Sequence, residues 1–198
     1  MTKAEKPSVN GLSEAPMLGD HLAMDLLNTE AIVDGQSVDY WHSGEDVRKW
    51  LARHGIAPMD GDGPVDPDAL LARARTLRSL VRRLIEQRKQ ETLGDIAALD
   101  AYLRAYVSAP HLARDSEGGL TLTRQARAEP VASMLGPLAE ATAQLLVDGD
   151  FDLVKQCQHP ECVLWFYDRT KAHKRRWCSM ALCGNRHKAA QFRKKAAM

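Results

Sequence analysis

The chain has 198 residues, 44% of them hydrophobic, and carries 27 Lys/Arg against 26 Asp/Glu, so it is long and apolar enough for one ordinary domain plus a small appendage. No apolar run is long enough to span a bilayer, and the opening MTKAEKPSVNGLSEAP is polar without a hydrophobic signal core, so a cytoplasmic protein that avoids membranes is expected, with residues 1–14 disordered. The near-neutral total conceals an asymmetry: residues 151–198 hold 11 Lys/Arg and 3 Asp/Glu, a balance of +8, which leaves −7 on the rest of the chain. A polyanion is attracted to the tail and not to the body.

In chain order, LGDHLAMDLLNTE puts Leu22, Ala23, Leu26 and Leu27 on one face of a short helix ending near Asn28-Thr29. Asp25, Asn28 and Thr29 are the polar residues of that stretch most expected to face inward, as caps and buried hydrogen bonds or as contacts to a small-molecule effector. A pocket for such an effector is expected between this helix and the long one described next. After a loop, SGEDVRKWLARHG offers Ser43 and Asp46 as a capping box, Val47, Trp50 and Leu51 as a buried stripe, and Gly55 as the stop.

The turn-rich GDGPVDPDAL opens the longest helix, about 68–91, in which Leu70, Ala74, Leu77, Val81 and Leu84 share a face and Arg73, Arg82, Arg83 and Arg88 fall mostly elsewhere, as a solvated basic surface. A helix over about 95–107 follows, with Ile96, Leu99, Leu103 and Tyr106 or Val107 inward. HLARDSEGGLTLTR alternates around a Glu-Gly-Gly centre and predicts a β-hairpin; a helix over about 130–147 is then closed by DGD. The expected fold is mainly α (α+β): a helical domain over 15–150 with one small hairpin, and a separate module over 151–198.

That module contains all four cysteines, in CQHPEC and CSMALC. Cys157 and Cys162, then fifteen residues, then Cys178 and Cys183 match the spacing of a tetrahedral zinc site with four cysteine ligands. VLWFYD reads as a strand, RTKAHK as a polar turn, and KRRWC as the return to the second pair. GNRHKAAQFRKKAAM reads as a helix capped by Asn185 with Phe192 packed inward, giving a treble-clef or ribbon-like zinc finger. So small a segment has little core, whereas one structural Zn²⁺ contributes about 10–16 kcal/mol to folding. Disulfides suit secreted chains instead. His159, His173 and His187 lie near, but the cysteine set is complete without them. Four cysteine ligands close the coordination sphere, and residues 15–150 hold no glycine-rich phosphate loop, nucleophile elbow or zinc-hydrolase signature, so an enzyme is not expected. One Zn²⁺ on four thiolates lowers the tail to +6 from the count of charged residues.

CQHPECVLWFYDRTKAHKRRWCSMALCGNRHKAAQFRKK closely resembles the CGNR zinc finger, whose naming sequence is here Cys183-Gly184-Asn185-Arg186. HLAMDLLNT and SGEDVRKWLARHG resemble the opening of the ABATE domain that accompanies this finger; Met24 and Leu27 depart from its more usual Leu and Val but keep the apolar face. The resemblance implies a bacterial, stress-induced transcription regulator, with the finger on DNA, the ABATE domain as sensor of a small ligand, and the four cysteines as zinc ligands. It also implies that Arg175, Arg176, Arg186, Lys188, Arg193, Lys194 and Lys195 fall where the finger meets nucleic acid.

A helix entering a groove needs cations for phosphates and a few donors for base edges. Arg186 is the first candidate for a base, with Lys188 and Arg193 beside it, while Arg175, Arg176, Lys194 and Lys195 suit phosphates. A homodimer on paired half-sites is compatible with so small a finger. Two alternatives remain at this level: an RNA-binding protein that stacks bases on Trp165 and Tyr167, and a zinc-scaffolded module that docks an acidic protein. As members of a minimal finger core, Trp165, Phe166 and Trp177 need no nucleic acid.

Overall fold

The computed structural model describes residues 14–33, 35–57, 64–92, 94–126 and 129–196; the expected disorder at residues 1–13 and the first part of the 61–70 linker lie outside the described residues. The chain divides into two compact units. It passes from the first to the second between Tyr40 and Trp41, and returns between Gly149 and Asp150. The sequence pattern points to a single crossing near 150 and carries no local signal for the one at Tyr40.

The second unit, Trp41–Gly149, is helical. Helix α2 (Gly44–Arg53) starts at the expected capping box: the Ser43 hydroxyl accepts from Asp46 N–H while the Asp46 carboxylate accepts from Ser43 N–H. Past its end, Gly55 takes a φ of +73°, the left-handed conformation that glycine adopts without steric cost. Helix α3 (Pro67–Lys89) opens with Asp66 as cap and Pro67 in the first turn, and a left-handed Glu91 follows its end. All five residues of its expected apolar face are buried, joined by Leu80 and Ile85.

Helix α4 (Ala97–Ala105) is shorter than expected. Leu99 is buried and, of the two alternatives at the far end, Tyr106 is half-buried while Val107 is 47% exposed; Ile96 precedes the helix and is 60% exposed, so its expected inward placement is corrected. Strands β3 (Ser108–Arg114) and β4 (Leu120–Ala126) form the expected antiparallel hairpin, with Leu112 opposite Leu122. Helix α5 (Pro130–Asp148) is capped by the Glu129 carboxylate, which also pairs with Arg73 on α3. At Gly136 a Cβ would meet the ring of Tyr106 at 2.0 Å, so the absence of a side chain lets α5 approach the end of α4. In the core, Trp41 and Trp50 meet edge to face at 5.4 Å, and the guanidinium of buried Arg78 lies 5.1 Å from the Trp41 ring centre.

The first unit combines residues 14–40 with 150–196. Helix α1 (Leu22–Leu27) ends at Asn28 as expected and leads into a hairpin that the sequence reading passes over as a loop, β1 (Glu30–Val33) and β2 (Gln36–Asp39). Its signal was available, since VDGQ places an Asp-Gly pair between two short β-prone runs. Strand β5 (Val154–Gln156) pairs antiparallel with β6 (Trp165–Tyr167), so the partner of VLWFYD is the segment before the first cysteine and not the returning KRRWC.

A π-turn, Met180–Gly184, runs directly into helix α6 (Asn185–Ala196). Its cap is Ser179, whose hydroxyl accepts from Ala181 N–H; Asn185 already has helical dihedrals and is not the cap. Phe192, expected inward, is 75% exposed.

Candidate metal centre and nucleic-acid interface

The β5–β6 hairpin carries the first cysteine pair in its loop, and the π-turn carries Cys183 inward one turn before α6, which is the treble-clef order of hairpin then helix. The wide π-turn follows from backbone bonding: Cys183 N–H and Gly184 N–H both reach Ser179 O at 3.1 Å. Gly184 lets the turn pack closely, since a Cβ would meet the end of the Met180 side chain at 2.6 Å and the Trp177 ring at 3.2 Å.

The four sulfurs lie within 4.8 Å of one another, with Cys162–Cys178 at 3.9 Å and Cys178–Cys183 at 3.5 Å. A zinc ion about 2.3 Å from each of four sulfurs sets them about 3.8 Å apart, whereas a disulfide needs about 2.05 Å. The donor set therefore fits one Zn²⁺, and all four cysteines are free of disulfides. Backbone N–H groups of Cys178 and Leu164 hydrogen-bond the sulfurs of Cys157 and Cys162, as the outer shell of a thiolate site requires. The Cys157 sulfur, then the Cys162 sulfur and burial, push the Cys178 and Cys183 thiols up. A bound divalent cation reverses that balance and holds the thiols ionised.

The centre belongs to a core that the expected module does not contain by itself. Cys157, Cys178, Cys183, Leu164, Phe166 and Leu182 pack with Ala31, and Leu18, Val33 and Tyr40 lie against them. Asn28 is wholly buried and uses its side chain as a strand: Nδ2 donates to Trp165 O and Oδ1 accepts from Trp165 N–H, each at 2.8 Å. Asp25 Oδ1 accepts from Gly19 N–H at 2.7 Å, and Thr29 Oγ1 donates to Leu26 O at 2.7 Å. The three residues singled out for a ligand are thus engaged with backbone, and α1 lies in the finger's unit while α3 lies in the other.

The seven basic residues separate into two groups. Arg175 is turned inward: its guanidinium donates to the carbonyls of Leu18, Trp177 and Cys178, pairs with Asp20, and sits 4.3 Å from the Phe166 ring centre. Arg176 donates to Gln158 and lies over Trp177, and Arg186 pairs with Glu161 at 2.6 Å, tying the start of α6 to the first cysteine loop. Lys188, Arg193, Lys194 and Lys195 are exposed on α6 without a hydrogen-bond or ion-pair partner among the described residues.

Sequence reasoning missed Asp168. It is fully buried and accepts from Lys155 Nζ at 2.7 Å, Thr170 Oγ1 at 2.6 Å and Arg175 N–H at 2.9 Å. Burial opposes its ionisation, but these donors outweigh burial and hold the carboxyl far below the usual range. Its signal was the Asp-x-Thr turn in YDRTKAHK. Trp165 is buried, and Tyr167 is half-buried with its hydroxyl accepting from Asp150 N–H, so both belong to the scaffold.

A four-cysteine finger of hairpin-and-helix type, completed by an N-terminal segment and joined to a helical body, defines the class of protein. Within that class, the model of the ABATE family, described as "Putative stress-induced transcription regulator", matches residues 20–149, and that of the CGNR zinc finger matches residues 154–196. The chain belongs to the ABATE family and carries a CGNR zinc finger. The ABATE match crosses the boundary at Tyr40 and so includes residues 20–40 of the segment that completes the finger. Comparison with curated proteins gives no match. No helix among the described residues is long and apolar enough to cross a membrane.

Proposed function

We propose that this protein is a DNA-binding transcription regulator in which zinc builds a rigid platform, α6 meets the duplex, and the helical ABATE unit receives a small-molecule or stress signal. The observation that carries the reading is the placement of Lys188, Arg193, Lys194 and Lys195, unpartnered among the described residues, on one helix that leaves the metal centre and holds no acidic residue. Four unpaired cations on a helix are a phosphate-binding surface, and their counterion release makes binding steeply salt-dependent. In this reading Arg175 is internal, Arg186 braces α6 against Glu161, and the free cations do the contacting.

The test is selection from a random duplex pool by the zinc-loaded full chain, beside an Arg193→Ala, Lys194→Ala variant of verified zinc content. An enriched motif that the variant no longer recovers is expected, with two half-sites if two copies bind together. Motif-free binding that vanishes at moderate salt would reduce α6 to an electrostatic surface.

A further inference from the structure

The chain has four Trp, four Tyr and three Phe, and all but one of these side chains are buried or half-buried. The exception is Phe192, 75% exposed on α6, a helix that carries Lys and Arg but no acidic residue. An isolated aromatic ring left in water forgoes the free energy of its own burial, and here it does so among cations instead of among the apolar residues that line a core. At 100° per residue, Lys188, Phe192 and Lys195 fall within about 60° of arc, and a 1.5 Å rise spaces the two lysines about 10 Å apart along the axis with the ring between them.

This face is separate from the groove of about 800 Å³ between the first cysteine loop and α6, whose lining includes Glu161, Arg186 and Arg193 but none of these three residues. It is also separate from the packed side of the helix, where His187 stacks on Trp177 at 4.7 Å.

We propose that Lys188, Phe192 and Lys195 form a nucleic-acid contact in which the two ammonium groups hold phosphates and the Phe192 ring stacks on a base between them. The proposal rests on the reading of α6 as the DNA-contacting helix and names what that helix adds to charge. Its occupant follows from charge complementarity: an apolar ring bracketed by the cations of Lys188 and Lys195 suits a partner that offers both a flat π surface and regularly spaced anions. A nucleic acid offers both in every nucleotide. Because the stack does not depend on base identity, the contact adds affinity with little sequence preference, and it favours sites where a base is already unstacked or a step is easily kinked.

The experiment measures affinity of the zinc-loaded full chain for a random-sequence duplex and a single strand of equal length, over a salt series, with three variants. Phe192→Ala removes an exposed ring and leaves α6 a better helix former, so it keeps the fold. It is expected to lower affinity for one or both nucleic acids by about tenfold or more while leaving the salt slope unchanged. Lys188→Gln with Lys195→Gln is expected to lower the duplex salt slope by about 2 with the ring in place. Phe192→Leu, which keeps apolar bulk without a π face, is expected to behave as Phe192→Ala.

Unchanged affinity in Phe192→Ala, or full affinity in Phe192→Leu, overturns the stacking contact while the DNA-binding reading stands. If Phe192→Ala instead abolishes self-association seen by sedimentation and leaves affinity intact, the ring is a contact between copies of this chain and the proposal fails. A wild-type chain that binds neither nucleic acid overturns both readings together.

Discussion

Asn28 shows how a single side chain joins two distant parts of the chain. Its amide reproduces both hydrogen bonds of a neighbouring strand at Trp165, on a β6 whose only strand partner among the described residues is β5. Replacing it with Ala leaves a buried N–H and a buried C=O without partners, each costing about 1–3 kcal/mol. Asn28→Ala is therefore expected to destabilise the finger's unit by at least about 2 kcal/mol, read as a lowered midpoint in zinc-loaded thermal or urea unfolding. Asn28→Asp is expected not to rescue it, because a carboxylate has no donor for Trp165 O; wild-type stability in either variant would remove the strand-like role. The amide is also an example of what the sequence permits without deciding. NTE after an apolar helix announces a cap and a buried hydrogen bond, but the partner lies 137 positions away.

Among elements, α5 is placed by one residue that is absent in bulk and one that is charged. Gly136→Ala raises intrinsic helix propensity by about 1 kcal/mol, yet the added methyl would overlap the Tyr106 ring, so net destabilisation is expected in urea unfolding of the full chain. Stabilisation by the same change would mean that Tyr106 moves aside freely. At the N-terminus of α5, burial tends to raise the Glu129 carboxyl, but hydrogen bonds from Val131 N–H, the Arg73 guanidinium and Ala132 N–H outweigh it and hold the group below the usual glutamate range.

A carboxyl lowered in the folded state stabilises fully above its unfolded value and loses that contribution as pH falls through the folded one. The stability gap between wild type and Glu129→Ala, about 1 kcal/mol near neutrality for a cap of this kind, is therefore expected to close on acidification below the usual glutamate range. A gap that stays constant on acidification well below that range would assign the effect to packing alone. Helix caps and stripes of this unit were legible because they are local: Ser43 with Asp46 and the face of α3 are written within one or two turns. Ile96 misled because a helix that begins two residues later than expected leaves its flank in solvent.

For the whole molecule, the finger and its zinc cannot be separated from residues 14–40. Leu18, Ala31, Val33 and Tyr40 complete the core around the cysteines, Tyr167 N–H donates to Gly19 O at 2.7 Å, and Arg175 grips Leu18 and Asp20. Chelation of zinc is expected to remove hydrogen-exchange protection from residues 22–31 as well as from 154–167, while α3 and α5 of the other unit keep theirs. Protection that survives at 22–31 in the metal-free chain would show that the N-terminal segment folds without the finger. By the same coupling, a finger cut out at residue 151 lacks part of its core, so binding experiments need the full chain.

By itself, the sequence determined the chemistry of this protein: four cysteines at C-x4-C spacings, a basic tail on an acidic body, and helices whose caps and apolar stripes can be read turn by turn. Those signals are legible because each is made by residues close together along the chain. Tertiary structure alone decided that residues 14–40 belong with the finger, that Arg175 faces inward while Phe192 faces solvent, and that β6 pairs with the strand before the knuckle. Each of these is a choice of partner across a long separation, made by which surfaces bury apolar area and satisfy backbone groups together, and no local pattern encodes it.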